Sequence, residues 1–240
     1  MNVRETARAT TRDLVSRLGP RLQSVLLYGS AARDEYLEGR SDINLLVLLD
    51  RIDPPILKQL APAAAEWLKH RVNAMLLEER EWARASDAFA VELLDMRDAR
   101  VVLHGADAVG EVTIDPADAR LQAERELRGR LVALHNGMVR SASNPSGLGM
   151  LLMAALPSFA TYLRTALRLS GRAAPAATRD AIEHGARLVG APADGFLRAL
   201  DARSRGGEWL VDLEDVAVEQ YGAAAERTAW FVDSLGGNRQ

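Results

Sequence analysis

Two seven-residue runs, Leu-Gln-Ser-Val-Leu-Leu-Tyr at 22–28 and Ile-Asn-Leu-Leu-Val-Leu-Leu at 43–49, constrain the fold more than any other feature. Each has the length of a strand and little room for a wet face, so each predicts a buried strand. Gly29 stops the first run and Asp50 closes the second. Ahead of them, residues 3–18 repeat apolar positions at helical spacing. Behind them, Asp53 is placed to cap a helix opened by Pro54–Pro55 and running to about His70. Val72 to Leu77 predicts a third strand, and 89–96 and 100–103 predict short edge strands. Helices between strands imply a mixed sheet with helical cover.

The pattern changes at Asp115–Pro116, a helix-start signal. From there only helical spacing remains, over 116–142, 147–170, 176–189, 192–203 and 211–235, broken at Asn144–Pro145, Ser170–Gly171, Gly190 and Gly206–Gly207. The fold class is therefore α+β, with a mixed-sheet domain over 1–110 and a helical bundle over 115–240.

Composition narrows the function. With 48% hydrophobic residues in 240, the chain can build real cores, which excludes a disordered class. Cysteine is absent, which removes disulfides, thiol nucleophiles and cysteine-held zinc. A net charge of −3 gives no support for coating nucleic acid or an anionic membrane. The four tryptophans are scattered, with no ladder for stacking bases. Residues 1–18 carry charges throughout, and the apolar stretch 148–163 is shorter than the ~20 residues of a span. The expectation is a cytoplasmic protein without a membrane anchor; a homodimer is compatible with the sequence.

The chemistry concentrates in residues 25–50. Gly29 lets a backbone approach a ligand closely, and with Ser30 it opens a turn whose N–H groups suit a phosphate. Eleven residues later, Asp42 and Asn44 alternate on one strand face while Ile43 and Leu45 point the other way. Two oxygen-bearing side chains opposite a Gly-Ser cradle suit a divalent cation bridging to nucleotide phosphates. The competing assignment for Asp42 is a cap on the incoming strand, and for Asn44 a hydrogen-bonding polar residue.

Gly29-Ser30 followed by Ser41-Asp42-Ile43-Asn44 resembles the signature of DNA polymerase β-like nucleotidyltransferases. Ala31-Ala32-Arg33 and Ser41 are similar to the bacterial small-molecule and aminoglycoside enzymes, which also carry a helical domain behind the catalytic one. The resemblance implies a nucleoside triphosphate, ATP first among them, with Mg2+, and transfer of a nucleoside monophosphate to a hydroxyl of a small molecule or protein. It assigns catalytic roles to Asp42 and Asn44, nucleotide contacts to Gly29, Ser30, Arg33 and Ser41, and metal contacts to Asp42, Asn44 and Asn73. For Arg33, a surface ion pair with Asp34 or Glu35 is the competing assignment.

The chain departs from the pattern where charge matters most. Asn44 stands where the family has a second carboxylate, and Asn73 where a third would fall, with Glu78 and Glu79 just beyond that strand. An amide offers a neutral oxygen to a cation and takes no proton from a hydroxyl. The expected activity is therefore slow or lost, and a nucleotide-sensing or partner-binding module is the alternative. A nuclease-like helical domain is a third reading, on the loose Arg130-x4-His135 and Arg179-x4-His184 spacing, which resembles HEPN ribonucleases.

Overall fold

Both apolar runs form strands where the sequence puts them, β1 over Leu22–Tyr28 and β2 over Ile43–Leu49. They belong to a computed structural model that describes residues 2–236 except 83, 85 and 111. The chain divides into two units, Met1–Ile114 and Asp115–Gln240.

In the first unit β1 and β2 are antiparallel, with Tyr28 opposite Asn44. The third strand, β3 over Val72–Glu78, lies parallel to β2 and brings Asn73 beside Asn44. The fourth, β4 over Arg100–Gly105, pairs antiparallel with the other edge of β1, giving the order β3-β2-β1-β4. A parallel pair needs a crossover. Here it is made by α2 (Pro54–Leu60), a 3-10 turn (Ala61–Ala63) and α3 (Ala64–Lys69). The single helix expected over 53–70 is thus broken at Pro62, which has no N–H to continue the ladder.

Strand alternation sorts the side chains into two cores. Val25, Leu27, Ile43, Leu45, Val47 and Leu49 pack with Leu14 and Leu18 of α1 (Val3–Leu18) and with Ile56 and Leu60 of α2. The opposite face, Leu26, Leu46 and Leu48, packs with Trp82, Leu93, Met96 and Val109. Each such side chain, fully buried, contributes roughly 1.5–3 kcal/mol. Asn2 starts α1 by accepting from the backbone N–H of Arg4 at 3.1 Å.

One expected strand is a helix. Residues 89–96 fall in an α-helix over Ala90–Asp98, labelled α5 after the one-turn α4 (Glu79–Trp82). Its buried residues, Ala90, Val91, Leu93, Asp95 and Met96, do not alternate as a strand would, and Leu93 and Met96 are three apart on one helix face. The run was short enough to fit either period.

The second unit contains five helices among the described residues: α6 (Pro116–Ser141), α7 (Pro145–Leu169), α8 (Thr178–Val189), α9 (Asp194–Arg205) and α10 (Val216–Ser234). Asp115 caps α6 through the Ala117 N–H at 2.8 Å, and Asn144 caps α7 through the Gly147 N–H at 2.9 Å. Rings cluster within the unit's largely aliphatic core. Phe159 lies against Phe196 with centroids 5.6 Å apart, and Tyr221 meets Phe196 edge-on at 4.6 Å. By length and hydropathy α7 is long enough to cross a membrane, yet it buries Leu152, Leu156, Phe159 and Leu163 inside this bundle.

Candidate functional site

Strand register gathers the candidate residues at one end of the sheet. Asn44 opens the β2 face that continues with Leu46 and Leu48, and Asn73 opens the β3 face that continues with Met75 and Leu77. Two amides therefore sit side by side at the end of an otherwise apolar surface. They bond to one another, with Asn73 Nδ2 donating to Asn44 Oδ1 at 3.2 Å. That bond turns Asn44 Nδ2 the other way, toward Gly29. A Cβ built on Gly29 would lie 3.0 Å from that nitrogen, and the glycine has φ +75°. The backbone conformation favours glycine there, and a Cβ would press on the Asn44 amide.

The turn over Gly29–Ala31 is a 3-10 turn in which Gly29 O accepts from Ala32 N at 3.0 Å and from Arg33 N at 3.1 Å. Ser30 O accepts from Glu35 N at 2.9 Å. Ser41 is buried, and its hydroxyl accepts the Leu37 N–H at 3.1 Å, which closes the loop before β2. Asp42 is half exposed, and its Oδ1 lies 2.8 Å from a terminal nitrogen of Arg71.

Arg33 is not the surface residue that the competing assignment made it. Its side chain is 5% exposed and pairs at 2.6 Å with Asp95, itself 12% exposed on α5. The same guanidinium donates to the Asp95 carbonyl at 3.2 Å. Asp34 instead pairs with Arg4 on the surface. Arg33 thus clamps the Gly29 turn to α5. The sequence could not reveal this, because its partner lies in the segment that reads as a strand.

Glu78 is also placed elsewhere. It ends β3 opposite Leu49, five register steps from Asn73, which is roughly 17 Å of strand. There its carboxylate accepts from Ile52 N at 2.8 Å and from Arg80 Nε at 2.6 Å. The bond from Ile52, then that from Arg80, holds its pKa below the ordinary value.

Two residues of the site carried no sequence signal. Arg71, in the turn between α3 and β3, has φ +54° and sends Nε to Ser41 O at 3.3 Å as well as pairing with Asp42. Tyr36 lies within the electrostatic reach of both Arg71 and Asp42. Its pKa is raised by partial burial, against which Arg71 acts and to which Glu38 and Asp42 add.

Tyr28, opposite Asn44, is pushed up to about 12, by burial first and then by Glu92 and Asp95 of α5. A raised folded-state pKa gives stability that is complete below the unfolded value of 10.0 and is lost as pH climbs toward about 12. Tyr28→Phe should remove on the order of 2 kcal/mol of that alkaline loss, read from urea unfolding across the alkaline range.

As a cation-binding set these side chains fall short. Asp42 is the one carboxylate among them and is already paired, while Asn44 and Asn73 are neutral and bonded to each other. Among the described residues no group of three or more His, Cys, Asp or Glu stands ready to hold a metal ion. The residues do not fit the pair of divalent cations that two-metal phosphoryl transfer needs.

At the two Arg-x4-His spacings, one residue of each pair has an acidic partner elsewhere in the helical unit. Arg179 pairs with Asp201, and His135 Nε2 lies 3.5 Å from Glu226. Arg164 is buried and braces the loop before α8, donating to Pro175 O, Ala176 O and Thr178 Oγ1.

Residues 9–89 match the family model described as nucleotidyltransferase domain, a span that includes every residue from Gly29 to Asn73. Among solved structures, spectinomycin adenyltransferase AAD(9) from Enterococcus faecialis, solved with ATP and spectinomycin, is similar in fold. The TM-score is 0.59 at 13% identity, over 93% of this chain and 98% of that chain. No curated protein matches the chain by sequence. Over residues 9–89 the chain is thus similar to nucleotidyltransferase domains, and its fold resembles that of the adenyltransferase.

Proposed function

We propose that the chain binds a nucleoside triphosphate, ATP above the others, at the Gly29–Ser30 turn beside Asp42 and Asn44, and that it transfers nucleotide slowly or not at all. The observation that carries this reading is the Asn44–Asn73 amide pair beside an Asp42 already held by Arg71. The family model supports nucleotide as the ligand, and the similar adenyltransferase was solved with ATP. Transfer to a hydroxyl needs a group to draw the proton and cations to gather the phosphoryl charge. Amides do neither. A small hydroxylated molecule is the acceptor class to try, since the similar adenyltransferase was solved with spectinomycin; a protein hydroxyl is the other. A cytoplasmic setting, where nucleotides are abundant, fits this role.

The test is thermal unfolding with each nucleoside triphosphate, both with Mg2+ and in EDTA. A ligand at a hundred times its Kd adds about 2.7 kcal/mol to the folded state, so ATP should raise the Tm by several degrees. Labelled ATP should leave hydroxylated acceptors unmodified on the timescale of minutes. Transfer at a few turnovers per second, abolished by Asp42→Ala, would overturn the inactive reading.

A further inference from the structure

We infer that this site takes its nucleotide free of divalent cation, with Arg71 and the amide of Asn44 meeting the phosphates directly. The inference rests on nucleotide binding at this site, and goes beyond it to the ionic form bound.

Arg71 is fixed at three points. Its carbonyl accepts the Ile43 N–H at 2.9 Å, its Nε donates to Ser41 O at 3.3 Å, and its terminal nitrogen lies 2.8 Å from Asp42. It does this from a left-handed backbone, φ +54°, just past the end of α3, where glycine would sit without strain. A strained non-glycine residue whose side chain reaches the site points to a role for that side chain. Its guanidinium has five donors, so it can hold Ser41 and Asp42 and still present N–H groups, and the side chain is 46% exposed. A planar fork of this kind suits a phosphate.

The amide geometry points the same way. A carboxylate at position 44 would turn acceptor oxygens toward the Gly29 turn, and a cation would have to stand between them and a phosphate. Asn44 turns its Nδ2 that way instead, because its Oδ1 is taken by Asn73. An N–H donor meets a phosphate oxygen with nothing between.

Charge decides which ion is admitted. Three carboxylates would repel a triphosphate until cations neutralised them. Here Asp42 and Arg71 cancel, and Asn44 and Asn73 carry no charge. A cation seeking Asp42 competes with the guanidinium already at Oδ1, and finds only amide oxygens alongside.

The experiment is calorimetric titration of the whole chain with ATP in EDTA and again in excess Mg2+. ATP should bind at least as tightly in EDTA. Arg71→Gly relieves the backbone strain, so its melting temperature should hold or rise while ATP affinity in EDTA falls about tenfold. Asp42→Asn leaves Arg71 to the phosphates, and affinity in EDTA should hold or increase. Binding that needs Mg2+ and disappears in Asp42→Asn overturns the inference and leaves nucleotide binding intact. Full affinity in Arg71→Gly overturns it as well. Absence of binding in either medium removes the nucleotide reading, and the inference with it.

Discussion

Arg33→Ala should lower the unfolding free energy of the N-terminal unit by about 3–5 kcal/mol. The substitution leaves Asp95 12% exposed on α5 with its counter-charge gone. A carboxylate so placed has lost water on one side and its guanidinium on the other, and truncation costs more than the pair itself contributed. The control is Arg4→Ala, which breaks the exposed pair with Asp34 and should cost about 0–1 kcal/mol. Arg33→Met combined with Asp95→Leu should recover most of the loss, since two apolar groups bury without stranding a charge. Urea midpoints of the four proteins give the comparison. If Arg33→Ala unfolds at the wild-type midpoint, the clamp between the Gly29 turn and α5 contributes nothing.

Phe159→Ala should cost the helical unit about 3–5 kcal/mol. Phe159 is 1% exposed and touches two rings, stacked on Phe196 and edge-on to Tyr221 at 6.0 Å. Its removal leaves a cavity between α7, α9 and α10 that helix backbones cannot close without moving together. Tyr221→Phe is the milder companion. It keeps the ring and loses the hydroxyl that donates to Leu152 O at 2.9 Å, an effect of about 1 kcal/mol. Thermal melts should rank wild type above Tyr221→Phe above Phe159→Ala. An inverted order would mean that the hydroxyl matters more than the ring cluster.

The sequence made the framework legible because its strongest signals were local. β1 and β2 end where Gly29 and Asp50 stop the apolar runs, and α6 and α7 begin where Asp115 and Asn144 cap them. The Asn44–Asn73 juxtaposition was also within reach, because both residues stand second in a strand-length apolar run. What stayed hidden depended on partners distant in the chain. Asp95 lies in a run that reads as a strand but folds as α5, so its pairing with Arg33 has no sequence signal. Arg71 lies in a turn, and no spacing rule shows that its side chain returns to Asp42. Ser41 matched a family position, but the structure gives its hydroxyl to the Leu37 amide.

The strand order bears on how the chain is made as well as on what it binds. β1 is central, yet its two neighbours come from very different places: β2 follows within one loop, while β4 is not synthesised until Arg100–Gly105. The polypeptide leaving the ribosome can therefore pair β1, β2 and β3 while the far edge of β1 is still bare. At about 5–20 residues per second, the stretch from Glu78 to Gly105 takes roughly a few seconds to add. During that interval Val25, Leu26 and Leu27 offer an open, apolar edge to any neighbouring nascent chain. Slower translation through codons 79–105 would lengthen the exposure, so overexpression yield should depend on the speed of that short segment.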